Sequence, residues 1–329
     1  MSTDALQHWC APRVILVATN LADTPALVVQ AISQARSCGA RILLVHVIRR
    51  GSLRASLDPK PAALITSSRF ATAWEVLDRT STMIEWQGVT CEPLVLEGDP
   101  ITEIPALAKA REVDRVLVAT RSTRGLGRLM EGSVAEALMT AADVPVCVIG
   151  PGVTARPFFG LCGGWVVLPL SLHHNQLFYV QFACELARRR DSGVVLLHVL
   201  ETSAMDEAGR TAARMRARIQ LESLLATPLD CRAEISVREG EIAHAIRAEG
   251  VCPDRDLIVM GAPSAPLFSR LLGISLIQRV IATARCPVLL VRPPLAAESR
   301  AADAESESVE PAGHSSEGLA AMEGSESIT

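Results

Sequence analysis

The sequence predicts an α/β protein of two tandem, doubly wound domains, each a five-stranded parallel sheet with helices on both faces. Three observations predict it. The first is duplication: residues 115–150 and 256–292 spell the same strand, loop, helix and strand, and they align without a gap on the Pro-Val pairs at Pro145 and Pro287. The second is that the repeat continues upstream. Residues 15–20 echo 166–171, the His-Val of residues 42–47 returns in 195–200, and Glu97-Gly98-Asp99 returns as Glu239-Gly240-Glu241. The third is composition, 49% hydrophobic but only 3% aromatic, the aliphatic balance of buried parallel strands covered by helices.

Taken in order, the first copy has strands near residues 14–19, 41–48, 91–96, 115–119 and 145–149. The second has them near 165–170, 194–199, 232–237, 257–260 and 288–291. Helices are expected between them, as alternation of the two periodicities requires in a parallel sheet. Residues 24–38 repeat apolar Leu27, Val28, Ala31, Ile32 and Ala35 at helical spacing, with Thr24 as the expected cap and Pro25 at the first helical position. The interval from His46 to Gly98 is ten residues longer than that from His198 to Gly240. The excess falls around residues 49–70, a Ser, Pro and Arg-rich stretch that reads as an extended connection. The expected organisation is an N-terminal extension (1–12), domain 1 (13–150), a linker (151–163), domain 2 (164–293) and an acidic tail (294–329).

The formal charge of −4 is unevenly distributed: residues 296–329 hold eight acids against Arg300, so the remainder of the chain is at +3. That Ser, Glu, Ala and Gly-rich tail has no periodic apolar face and reads as disordered, a solubilising segment or one that meets a regulatory protein. Lys60 and Lys109 are the only lysines, and neither follows a G-x-x-x-x-G loop, which excludes a P-loop nucleoside triphosphatase. No apolar run approaches the roughly 20 residues of a membrane span, and the first residues lack a basic-then-apolar order, so the expectation is a cytoplasmic chain with no membrane or nucleic-acid partner. Nine cysteines without a C-x-x-C pair read as buried reduced thiols rather than zinc ligands or redox pairs.

The strand-ending turn, the His-Val, the E-G-[DE] word and the fourth-strand word closing on Pro-Val together resemble the universal stress protein family, in a tandem two-domain form spanning residues 12–292. The resemblance implies a sheet of the adenine nucleotide alpha hydrolase-like kind, domains that pair as dimers do, here within one chain, and room for a further homodimer. Members that bind ATP carry G-x-x-G, nine residues, then G-[ST]. In the first copy Ala119 and Ser122 replace the leading glycines while Gly132-Ser133 survives. In the second, Gly261 keeps the first glycine, Ser264 replaces the next, and Ile274-Ser275 replaces the final pair. Glycines let phosphate approach the backbone, whereas the branched Ile274 crowds that space and Pro263 and Pro266 remove N–H donors.

Domain 1 is therefore the expected site for ATP or another adenine nucleotide, with domain 2 degenerate. By resemblance the site comprises Ala18, Thr19 and Asn20 after the first strand, Val47 after the second-strand His, and Val118, Ala119, Arg121, Ser122, Gly132, Ser133 and Val134 from the fourth-strand word. Asn20 and Ser171 stand where the family has an acid, and a turn-forming role suits both equally. Gly125 and Gly127 would add amides, and Arg121, Arg124 and Arg128 charge-assisted contacts, unless these arginines form a solvated face. A catalytic residue is not expected: G-x-S-x-G is absent, no base is positioned for more than slow ATP hydrolysis, and no carboxylate is assigned to magnesium. His173 and His174 read as exposed or capping, and His46 and His198 as packed core histidines. Glu97 and Asp99 read as charges favourable to a helix N-terminus. A scaffold that binds partners and no nucleotide is the alternative function.

Overall fold

The structure, a computed structural model, describes residues 3–22, 25–49, 59–120, 134–154, 164–172, 176–201, 205–226, 231–252, 254–262 and 276–293. In the first half these form α1 (Thr3–Cys10), β1 (Val14–Ala18), α2 (Pro25–Cys38), β2 (Arg41–Ile48), α3 (Pro59–Trp86), β3 (Cys91–Glu97), α4 (Pro100–Ala110), β4 (Arg115–Ala119), α5 (Val134–Ala141) and β5 (Val146–Ile149). The second half has β6 (Trp165–Pro169), α6 (Gln176–Arg189), β7 (Gly193–Leu200), α7 (Glu207–Leu225), β8 (Arg232–Glu239), α8 (Ile242–Glu249), β9 (Arg255–Gly261) and β10 (Val288–Val291), with a further helical turn or two over residues 276–283. No helix among the described residues is long and apolar enough to cross a membrane.

All ten strands join one sheet in the order β3-β2-β1-β4-β5-β10-β9-β6-β7-β8. Within each half every pairing is parallel, as the near-continuous apolar strands require. At the seam β10 runs antiparallel to β5, with Val288 opposite Val148, Leu289 opposite Cys147 and Leu290 opposite Val146. The two copies therefore pair within the chain. Because the seam is antiparallel, the carboxyl ends of β1, β2 and β4 lie along one edge of the sheet and those of β6, β7 and β9 along the other.

Each face of the sheet carries one core that runs across the seam. On one face α1, α2, α3, α6 and α7 cover residues such as Ile15, Leu44, Val166 and Leu196. On the other, α4, α5, α8 and residues 276–283 cover Leu16, Val118, Val167 and Ile258. Chain leaving β5 passes close beneath the last of these. A Cβ on Gly150 would lie 2.2 Å from the Ile281 carbonyl oxygen, so only glycine fits there.

One sequence expectation needs correction. The extended connection over residues 49–70 is helical from Pro59 onward, because prolines at the first turn of a helix sacrifice only N–H groups that have no helical partner. Residues 50–58 lie outside the described residues. The N-terminal extension contains α1, which packs on α6 of the other half: the Cys10 thiol donates to the Phe182 carbonyl at 3.6 Å, and the Trp9 carbonyl accepts from Arg115. Thr24, residues 155–163, His173, His174 and the tail from residue 294 also lie outside the described residues.

Candidate functional site

Both halves end their first strand in the same bend. Thr19 Oγ1 accepts from the Leu21 N–H at 3.0 Å, and Asn20 Oδ1 accepts from the Ala22 N–H at 3.1 Å. These side chains hold Leu21 at φ 68°, and the equivalent Leu172 sits at φ 59°, a left-handed conformation that branched or bulky residues adopt only under constraint. The second strand then locks onto the bend. His46 Nδ1 donates to the Thr19 carbonyl at 2.9 Å, and His198 Nδ1 donates to the Leu170 carbonyl at 2.8 Å. A carbonyl can only accept, so Nδ1 carries the proton in both rings and Nε2 is the ring's other polar atom. The Glu-Gly-acid word closes the frame: Asp99 caps α4 by accepting from the Ile101 N–H, and Glu241 caps α8 by accepting from the N–H groups of Ala243 and His244, both at 2.8 Å.

These elements enclose a cavity of about 380 Å³ at the carboxyl edge of the first half. Seven expected site residues line it together: Ala18, Thr19, Asn20, Val47, Val118, Ala119 and Val134. The remaining expected residues, Arg121, Ser122, Gly132 and Ser133, lie outside the described residues, as do Arg124, Gly125, Gly127 and Arg128. His46 lines the cavity rather than being sealed in the core, and Val45, Arg49, Pro100, Ile104, Thr120 and Ala135 complete the wall. Sequence reasoning passed over Arg49 although it stands two residues beyond Val47. Alternation along β2 was the available signal, since it returns every second residue to one face.

The second half has a larger cavity, about 860 Å³, lined in part by Ser171, Gln176, Tyr179, His198, Val199, Glu201, Arg216 and Gln220. Two differences separate it from the first. Glu201 occupies the register position of Arg49, reversing the charge at the rim. Tyr179 occupies that of Val28, and its hydroxyl approaches Gly261 so closely that a Cβ there would lie 2.8 Å from Tyr179 Oη. Gly261 thus has a packing reason in this copy, and the glycine retained by the motif is no sign of a phosphate cradle. Residues 263–275, including Pro263, Ser264, Pro266, Gly273, Ile274 and Ser275, lie outside the described residues.

Paired α/β halves with a cavity at each carboxyl edge, joined by an antiparallel fifth strand, define a tandem fold of the adenine nucleotide alpha hydrolase-like kind. The chain belongs to the universal stress protein family, whose model matches residues 12–150 and 166–292. A curated universal stress protein of Methanocaldococcus jannaschii is 36% identical over 75 residues, 23% of this chain and 44% of that relative. The chain thus spans less than half the length of the curated relative it matches. Among solved structures, a universal stress protein from Archaeoglobus fulgidus superposes over 86% of this chain and 97% of its own at a TM-score of 0.63 and 20% identity. A putative universal stress protein from Pseudomonas aeruginosa covers 92% of this chain and 99% of its own at a TM-score of 0.58 and 17% identity. At these identities the likeness is one of fold.

Proposed function

We propose that domain 1 binds ATP or another adenine nucleotide and that the chain acts as a cytoplasmic stress-response sensor or regulator, with domain 2 degenerate for that ligand. The observation that carries this reading is the convergence of Ala18, Thr19, Asn20, Val47, Val118, Ala119 and Val134 on one cavity. Apolar strand ends supply a slot for a flat base, Thr19 and Asn20 supply polar atoms at its mouth, and α5 opens on the cavity at Val134. The first N–H groups of a helix and its dipole favour phosphate there, and Arg49 adds a cation at the rim. Gly132-Ser133 immediately precedes α5 in sequence and would contribute amides and a hydroxyl.

Isothermal titration of the purified chain with ATP, ADP, AMP and cyclic AMP tests the proposal. One saturable site per chain is expected, and Arg49→Glu should weaken it about tenfold at low salt and less at high salt, as for any exposed charge contact. Absence of saturable binding at millimolar nucleotide would instead favour a scaffold that meets regulatory proteins.

A further inference from the structure

We propose that the larger cavity, in domain 2, binds an apolar monocarboxylic acid with a flexible chain, of the fatty-acid class, and that Arg216 holds its carboxylate. The cavity encloses about 860 Å³ and is walled mainly by aliphatic side chains, the composition of a small-molecule site with a few polar anchors. Its walls come from both layers of helices. α7 lines it on one face of the sheet, Ile242 and Ile246 of α8 line it on the other, and Leu170 and Ala262 lie just beyond the ends of β6 and β9. A ligand that touches both layers has to pass over the carboxyl edge, and a chain that turns about its single bonds fills such a path better than a rigid ring system.

The head group is held from α7. That wall consists of Ala213, Arg216, Ala217 and Gln220, spaced i, i+3, i+4 and i+7, so it is one stripe of the helix. The two alanines leave room, and Arg216 and Gln220 stand one turn apart beside it. Of the four arginines on α7, three are engaged: Arg210 with Glu207, Arg214 with Glu239 and Arg218 with Glu222. Arg216, the one on the cavity wall, makes no ion pair among the described residues. Its guanidinium presents parallel N–H donors that match the two oxygens of a carboxylate, and the Gln220 amide can add another.

The rest of the lining disfavours a nucleotide. Glu201 opposes a polyphosphate, whose several negative charges exceed what a single arginine balances, whereas a monocarboxylate brings only one. Tyr179 narrows the slot at the end of β9, where its hydroxyl crowds Gly261, and its ring offers apolar surface to a hydrocarbon chain. Binding of such an acid in domain 2 is independent of whether domain 1 takes a nucleotide.

Isothermal titration of the full-length chain with sodium decanoate and with decylamine, both kept below their micellar concentrations, tests this. One saturable decanoate site per chain is expected, about tenfold tighter than any site for decylamine and unaffected by excess ATP. Arg216→Gln should weaken decanoate about tenfold and so erase the preference for the acid. The comparison of acid with amine on the wild-type chain stands even if the variant misfolds. No saturable decanoate binding, an equal or tighter grip on decylamine, or displacement of decanoate by ATP would overturn the proposal, as would an unchanged preference in a folded Arg216→Gln chain.

Discussion

Arg115 lies within a strand, is 2% exposed, and donates to the Trp9 carbonyl at 2.6 Å and the Gln34 side-chain oxygen at 3.0 Å. Gln34 in turn donates to the Cys147 sulfur at 3.3 Å, so the guanidinium ties α1, α2 and β5 through one buried network. Leaving those acceptors empty and opening a void should make Arg115→Ala cost about 3–5 kcal/mol, measured as a shift in urea midpoint. Gly150→Ala puts a methyl group against the Ile281 carbonyl, and the strain should cost about 1–3 kcal/mol in the same assay, with nucleotide affinity in domain 1 little changed. A loss below a few tenths of a kcal/mol would mean that residues 276–283 yield freely. The Arg190–Asp256 pair shows a different economy of charge. Each side chain is 8% exposed; burial raises the Asp256 carboxyl while Arg190 opposes the rise, and burial likewise lowers Arg190. An acid raised in the folded state adds stability at pH below its unfolded value and loses it as pH climbs through the folded one.

Among the elements, α8 has a cap with the opposite pH behaviour. Burial disfavours the Glu241 carboxylate, but hydrogen bonds from the Ala243 and His244 N–H groups, together with Arg279, outweigh that and hold it below the ordinary carboxylate range. Its contribution is present above the unfolded value and fades as pH falls through the folded one. Glu241→Ala should therefore cost about 1 kcal/mol near neutrality and almost nothing in acid, a difference that urea titrations at two pH values would reveal. Removal of residues 2–12 should destabilise the chain by several times that amount, since it strips α1 from Phe182 and Arg115 together. The strands were legible because parallel strands buried on both faces are written as apolar runs, and the observed β10 matches the expected residues 288–291. The first helix was not, being a short segment whose partners, Arg115 and Phe182, are distant in sequence. Strand ends and the family likeness pointed to seven residues that the structure brings to the wall of one cavity. Arg49 was not singled out and His46 was read as a packed core histidine, since a residue's arrival at a cavity depends on the bend that follows β1, and Asn20 and Thr19 show the bend only through their hydrogen bonds.

For the molecule as a whole, the cores on both faces continue across the β5–β10 seam, so the halves share buried surface as well as a ladder. Urea unfolding should then show one transition, with tryptophan fluorescence and far-ultraviolet circular dichroism coincident. Two separated transitions would show that each half stands alone. Opposed strand direction at that seam has a bearing on access to the two cavities. A body that reads the smaller cavity from its mouth stands on the far side of the sheet from one that reads the larger, and neither obstructs the other. Solutes at the two cavities would therefore not compete for one approach. Coupling between them has several routes across the seam: the ladder at Val146, Cys147 and Val148, the contact of Cys10 with Phe182, and the two cores shared by both halves.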